Sequence, residues 1–149
     1  MLKSAGIFAL GAVLASVLIY ATPLKWYNII PTSTKDIDAA EFNTLFSENP
    51  EKYVFIDVRD ANVYEQLHAK GAISEPIGLL FEGHNSLPKS GKQIVLICSS
   101  GRLAGVAYGY LEHEGFTNLL RIKGGMQDWV LEKLPVEGVD PKAPIPAVD

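Results

Sequence analysis

Two short and almost continuously apolar runs constrain the fold of this chain more than any other feature. Residues 53–58 read YVFIDV and residues 93–97 read QIVLI. Both runs have the length of a strand, are rich in β-branched residues and lack the strict alternation of a half-exposed strand. This pattern is typical of strands that are buried on both faces of a sheet. The sequence therefore predicts two central strands at these positions.

Segments of helical pattern alternate with these strands. The chain shows helical spacing at the beginning of the domain, before Asn49 and Pro50, and again at residues 60–68, 102–113 and 126–134. A third strand is predicted at residues 118–122, and a weaker one near residues 72–77. Strands and helices that alternate along the chain indicate an α/β fold with a mainly parallel sheet.

Composition and charge exclude several classes of function. The chain has 149 residues, with 13 lysines and arginines against 17 aspartates and glutamates, and a formal net charge of −4. This acidic balance argues against nucleic acid as the main partner, because phosphate binding needs a basic surface. Cys98 is the single cysteine, which excludes an intramolecular disulfide and a multi-cysteine zinc site. The histidines share no ligand spacing, so no metal site is predicted.

The N-terminal residues predict contact with a membrane. Residues 5–21 (AGIFALGAVLASVLIYA) are almost wholly apolar, and their length matches the hydrocarbon core of a bilayer. We expect residues 1–25 to form a transmembrane anchor, with a cleaved signal peptide as the alternative. Lys3, before the apolar run, favours a domain on the extracytoplasmic (periplasmic) side, and cleavage would instead release a secreted or periplasmic protein.

The remaining residues divide into a linker, a domain and a tail. Residues 26–35 are expected to form a linker to one domain at residues 36–137. A chain of this length is sufficient for one well-packed core. Residues 138–149 are rich in proline and are predicted to form an extended, poorly ordered tail.

The residues that directly follow the strand at 93–97 are the first candidates for chemistry, because open parallel sheets bind ligands at the carboxyl ends of their strands. They read CSSGR, from Cys98 to Arg102, and a helical pattern follows. Backbone N–H groups of such a loop, with the N-terminus of the helix, favour an anion or a thiolate. Arg102 adds a permanent cation. The alternative is that Cys98 is a small buried hydrophobic residue without a chemical role.

Several motifs in order along the chain resemble the rhodanese-like domain. They are FIDVRD at 55–60, Tyr64 with His68, GAI at 71–73, the CSSGR loop and KGGMQDW at 123–129 followed by LPV. The resemblance implies a five-stranded, mainly parallel sheet with helices on both faces, here preceded by the transmembrane helix. It also implies a single-domain sulfurtransferase without a cofactor. In that family a cysteine takes up sulfur from thiosulfate or a polysulfide as a persulfide, and a thiol or cyanide removes it.

Transferred to this sequence, the resemblance makes Cys98 the catalytic nucleophile. The loop that binds the substrate would comprise Ser99, Ser100, Gly101, Arg102 and Leu103. The chain departs from the family loop at Leu103, because an arginine is common at that position and stands one residue earlier here. Asp57 and Arg59 are predicted to form a structural ion pair beside the site, from which Arg59 can also contribute to binding.

Two other functions remain open from the sequence. The first is a membrane-tethered binding or sulfur-carrier module with little or no turnover. The second is a cysteine phosphatase or an arsenate reductase, which uses a related loop. The enzymes of that second group resemble one another in a pattern of a cysteine, five further residues and an arginine. In this chain Ala104 occupies the position of that arginine. The loop therefore disfavours phosphoryl transfer.

Overall fold

A computed structural model describes residues 34–146 of the chain as an α/β domain with a five-stranded parallel sheet. The strands of this sheet are β1 (Asp36–Ile37), β2 (Tyr53–Asp57), β4 (Ile73–Ser74), β5 (Gln93–Ile97) and β6 (Leu119–Ile122). Their spatial order is β1-β6-β5-β2-β4, and every neighbouring pair is parallel. The predicted parallel sheet is therefore confirmed.

Three strands of two residues each, within the described part of the chain, were not predicted, because so short a segment carries no hydrophobic pattern of its own. The equally short β4 lies within the strand predicted near residues 72–77. One is β1, at the edge of the sheet. The others are β3 (His68–Ala69) and β7 (Val136–Glu137), which form a separate antiparallel pair. Because β3 pairs with β7, the segment at the end of the domain lies beside residues 68 and 69.

Within residues 34–146, five α-helices connect the strands. They are α1 (Ala39–Glu48), α2 (Ala61–Gln66), α3 (Ile77–Gly83), α4 (Arg102–His113) and α5 (Gly125–Leu131). Short 3₁₀ turns lie at Pro50–Lys52 and His84–Ser86. The bounds predicted for α4 are confirmed, whereas α2 and α5 are shorter than predicted. Helix α2 ends early because His68 enters β3, and Lys133 beyond α5 has a left-handed φ of 57°.

Helices cover both faces of the sheet. Phe55 of β2 and Val95 of β5 belong to one hydrophobic cluster with Phe42 of α1 and Trp129 of α5. Successive side chains of a strand point to opposite faces, so the fully buried Ile94, next to Val95, faces the other side. Helix α4 contacts both β5 and β6 and supplies further buried residues. This arrangement explains why the central strands are apolar throughout.

The described part of the C-terminal tail, residues 138–146, has no helix or strand, yet it is packed against the domain. The backbone N–H groups of Val139 and Asp140 donate to carbonyl oxygens of α2, each at 3.0 Å. Ala143 and Ile145 pack against the hydrophobic cluster. Residues 138–146 therefore have backbone partners and apolar contacts in the domain, and the poor order expected of this end stays a prediction.

The predicted membrane segment, residues 5–21, lies outside the described residues. So does most of the predicted linker, of which the structure describes only residues 34 and 35. Within residues 34–146, no helix combines the length and the apolar character that a membrane crossing requires.

Candidate active site

The loop after β5 holds the thiol of Cys98 within a cradle of backbone groups. Cys98 is fully buried. The N–H groups of Gly101 and Ala104 donate to its Sγ at 3.2 and 3.3 Å. Gly101 precedes α4 with a φ of +87°, a conformation in which glycine is favoured. Hydrogen bonds from two N–H groups at the N-terminus of a helix of 12 residues stabilise negative charge on the sulfur.

A second loop fixes the position of the first. The N–H of Met126 donates to the carbonyl of Cys98 at 2.8 Å, and the N–H of Gln127 donates to that of Ser99 at 3.0 Å. Gly125 has a φ of +61°, and a Cβ at that residue would lie only 2.3 Å from the carbonyl oxygen of Cys98. A glycine is therefore required at this contact between the loops.

Asp57 and Arg59 form the predicted ion pair in the interior beside this loop. Arg59 is 2% exposed and Asp57 is 0% exposed. Nε of Arg59 donates to Oδ1 of Asp57 at 2.9 Å, and Nη2 donates to Oδ2 at 2.6 Å. Nη2 also donates to the carbonyl of Leu67 at 2.7 Å. The third nitrogen, Nη1, is buried and has no hydrogen-bond partner among the described residues.

A pocket of about 320 Å³ lies at the carboxyl ends of β2 and β5. Because these strands are parallel neighbours, the segments that follow them meet at one edge of the sheet. The lining residues are Arg59, Asp60, Val63, Ile77, Ser99, Leu103 and Pro146. Ser99, Leu103 and Arg59 were candidates from the sequence. The other four were not candidates. Asp60 ends the FIDVRD motif but was given no role in the site, and the remaining three come from α2, α3 and the tail, where no motif marks them.

The remaining loop residues have different positions. Gly101 contributes its N–H to the sulfur, as predicted for the cradle. Ser100 is partly buried, and its Oγ has no hydrogen-bond partner among the described residues. Arg102 is exposed at the beginning of α4 and does not line the pocket. The arginine that lines the pocket is Arg59, although the sequence favoured Arg102 as the partner of a bound anion.

A second arginine reaches the loop from the edge of the sheet and was not a candidate from the sequence. Nε and Nη2 of Arg121 donate to the carboxylate of Asp36, each at 2.8 Å. Its Nη1 donates to the carbonyl of Gly101 at 3.2 Å. The hydrogen bonds with Asp36 raise the pKa of Arg121 from its already high ordinary value, so the guanidinium remains charged. Gly105 leaves room for it, because a Cβ there would lie 2.8 Å from Nη1.

Comparison with known proteins identifies the family. Residues 38–132 match the sequence model of the Rhodanese-like domain, which is more than half of the chain. The chain belongs to the rhodanese-like family. The resemblance carried by the ordered motifs is thereby confirmed, and the cradle around Cys98 lies in the part of the chain that the match covers.

Relatives of this rhodanese-like chain include proteins named for sulfur chemistry. It is 30% identical over 82 residues to a putative sulfur carrier protein of Bacillus subtilis, which covers 55% of this chain and 44% of the relative. It is 26% identical over 102 residues to the thiosulfate:glutathione sulfurtransferase of Saccharomyces cerevisiae, with coverage of 60% and 73%. The chain thus spans less than half the length of the first of these relatives.

Solved structures agree with the fold of the rhodanese-like domain. A crystal structure of a Bacillus halodurans protein superposes with a TM-score of 0.66 at 28% identity, and the alignment covers 75% of this chain and 83% of that protein. The agreement extends over most of both chains. It therefore confirms the α/β arrangement that places the loop of Cys98 at the carboxyl end of a central strand.

Proposed function

We propose that this chain is a sulfurtransferase that forms a persulfide on Cys98, with thiosulfate or another sulfane-sulfur compound as the donor. The observation that carries the proposal is the pair of backbone N–H groups that donate to Sγ of Cys98. A thiol that only fills space in a core does not need such donors, whereas a nucleophilic thiolate does. Membership of the rhodanese-like family and the sulfurtransferase named among its relatives support the same chemistry.

In the first step, the thiolate of Cys98 attacks the outer sulfur of the donor. The Sγ–S bond forms while the S–S bond of the donor breaks, and the leaving group departs with the electron pair; from thiosulfate this group is sulfite. The N–H groups of Gly101 and Ala104 remain close to Sγ, where they stabilise the negative charge of the thiolate and then of the persulfide. Arg59 lines the adjacent pocket with an Nη1 that has no partner among the described residues, so we assign it to the anionic end of the donor.

In the second step, a thiolate or cyanide attacks the outer sulfur of the persulfide. The new bond to the acceptor forms, the Sγ–S bond breaks, and Cys98 leaves as the thiolate. No external oxidant or reductant is consumed. In each step the attacking nucleophile supplies the electron pair of the new bond, and the leaving group keeps the electron pair of the bond that breaks. The pocket beside Ser99 and Leu103 gives the acceptor access to the loop.

Intact-mass spectrometry of the full chain tests this proposal. We expect exposure to thiosulfate, followed by removal of excess donor, to add one sulfur atom, and a reductant to remove it. Cys98→Ser should gain no sulfur, because the chain has no other cysteine. Failure of the native chain to gain sulfur from thiosulfate, from a polysulfide and from an organic sulfane donor would refute the sulfurtransferase assignment.

A second candidate is a sulfur-carrier or binding module that holds sulfur and has little turnover. Two observations favour it: Cys98 is fully buried, and one relative is named a putative sulfur carrier. Turnover distinguishes the two functions. A carrier takes up one sulfur atom per chain and releases it slowly to cyanide or glutathione, whereas a sulfurtransferase produces many equivalents of thiocyanate or glutathione persulfide per chain.

We further propose that residues 5–21 anchor the domain to a membrane, with the domain on the extracytoplasmic side. The support is the apolar character and length of this run. Extraction of membranes with alkaline carbonate should leave the full chain in the pellet. Recovery of a shorter, soluble chain that begins near residue 22 would instead indicate a cleaved signal peptide.

A further inference from the structure

The pocket beside the loop is mainly apolar. Val63 of α2, Ile77 of α3, Leu103 of α4 and Pro146 of the tail contribute to its lining. These four residues come from four separate segments, and the tail is fixed there by the hydrogen bond from Nε2 of Gln127 to the carbonyl of Pro146 at 3.3 Å. Apolar walls with a few polar groups are typical of sites for organic ligands.

Charge in the lining is balanced rather than positive. Arg59 is the one cation among the residues that line the pocket, and its charge is already compensated by Asp57 at 2.6 Å. Asp60 also lines the pocket and adds a negative charge. Arg121 does not line it and is paired with Asp36. A dianion therefore meets no net positive charge here, which makes its transfer from water unfavourable.

The volume leads to the same conclusion. About 320 Å³ lies at the lower end of the range of pockets that bind organic ligands. A small inorganic anion occupies only a part of such a volume and leaves the four apolar side chains in contact with water. An organic group attached to the donor would cover them, and this burial favours binding.

We propose that the site selects an organic, singly charged sulfane donor, of the thiosulfonate class, over inorganic thiosulfate. This inference rests on the proposed sulfurtransferase function. The sulfonyl oxygens lie toward Arg59, and the organic group contacts Val63, Ile77, Leu103 and Pro146. The Cys98 thiolate attacks the terminal sulfur; the Sγ–S bond forms, the bond between that sulfur and the sulfonyl sulfur breaks, and a sulfinate leaves with the electron pair.

Three donors separate the effects of charge and apolar surface: benzenethiosulfonate, methanethiosulfonate and thiosulfate. The second-order rate of persulfide formation on the full chain is measured by intact mass for each donor. Each rate is divided by the rate of N-acetylcysteine with the same donor, which corrects for differences in the intrinsic reactivity of the three donors. We expect the normalised rate with benzenethiosulfonate to exceed that with thiosulfate at least about tenfold, with methanethiosulfonate between them.

Two pairs of variants test whether the lining causes this preference. Leu103→Arg adds a cation and removes apolar surface, so the ratio of the benzenethiosulfonate rate to the thiosulfate rate should fall about tenfold or more. Leu131→Arg is the matched control, because Leu131 is 78% exposed and does not line the pocket. Pro146→Ala should lower the ratio by a smaller factor, whereas Pro144→Ala, in the same tail but outside the lining, should not change it.

The outcomes distinguish this inference from the function on which it rests. Equal normalised rates for the three donors, or a ratio that neither Leu103→Arg nor Pro146→Ala changes, would overturn the donor preference and leave the sulfurtransferase assignment intact. Absence of sulfur on Cys98 with every donor would refute both.

Discussion

Two aspartate–arginine pairs flank the loop of Cys98, and they differ in burial rather than in geometry. Asp57–Arg59 and Asp36–Arg121 each join a carboxylate to a guanidinium through two nitrogens. The arginine and aspartate side chains are 3% and 0% exposed in the first pair, but 24% and 35% exposed in the second. Water can therefore replace a lost partner only in the second pair, so similar contacts have different consequences for stability.

The pairs also differ in what the third nitrogen of each guanidinium does. Nη1 of Arg59 has no partner among the described residues, and Arg59 lines the pocket. Nη1 of Arg121 instead donates to the carbonyl of Gly101, within the loop itself. The buried pair thus has one guanidinium nitrogen without a partner among the described residues, whereas the corresponding nitrogen of the pair at the sheet edge bonds the loop.

The largest effect on stability is expected from Arg59→Met. This change leaves the carboxylate of Asp57 buried without its cation, and loss of one partner of a buried pair costs about 3–5 kcal/mol. It also removes the donor to the carbonyl of Leu67. The free energy of unfolding of the full chain, from urea denaturation, should fall by about that amount.

The double variant Asp57→Leu with Arg59→Met is the control for this prediction. If the cost of the single change comes from an unpaired buried charge, removal of the carboxylate as well should recover a substantial part of the lost stability. A single variant that loses less than about 1 kcal/mol would contradict the importance of burial.

Sequence reasoning could find the first pair but not the second. Asp57 and Arg59 are two residues apart and directly follow a recognisable strand. Asp36 and Arg121 are 85 positions apart and meet only because β1 lies beside β6, with Asp36 in register with Arg121. A strand of two residues carries no periodicity, so no local pattern predicts this contact.

The pocket shows the same limit. Cys98 and Ser99 were candidates because they directly follow a buried strand, where parallel sheets generally bind ligands, and Leu103 was a candidate through the resemblance to the rhodanese-like loop. Arg102 was favoured as the anion partner through its position next to them in the chain. The structure instead places Arg59 at the pocket, because β2 is the spatial neighbour of β5. Pro146 lines the pocket only because the tail folds back onto the domain, which no local pattern in the sequence predicts.

A smaller effect is expected from Arg121→Met, the same substitution in the exposed pair. Asp36 can be hydrated, so the loss should be about 1 kcal/mol and should decrease at high salt, where exposed charges are screened. The pKa of Arg121 is raised in the folded chain, so the guanidinium stays protonated at neutral and moderately alkaline pH. The contribution of this ion pair to stability is lost only when the pH rises through that raised pKa. Urea denaturation at about pH 6 and about pH 9 should therefore give the same difference.

The outcome that would contradict this prediction is a loss as large as that of Arg59→Met. It would mean that the hydrogen bond to the carbonyl of Gly101, rather than the ion pair, carries most of the energy. Arg121→Lys distinguishes the two contributions, because lysine retains the charge but cannot bond Asp36 and Gly101 through a rigid fork.

The smallest net effect is expected from Gly105→Ala, which tests whether Arg121 is held tightly over α4. Alanine stabilises a helix interior by about 0.8–1 kcal/mol relative to glycine. In the native chain its Cβ would lie 2.8 Å from Nη1 of Arg121 and displace the guanidinium, so the two effects should nearly cancel. In Arg121→Ala this contact is absent, and the same change should increase the free energy of unfolding by close to the full helix gain. An equal effect of Gly105→Ala in both backgrounds would show that Arg121 moves aside at no cost, and the edge pair would then have no part in positioning the loop.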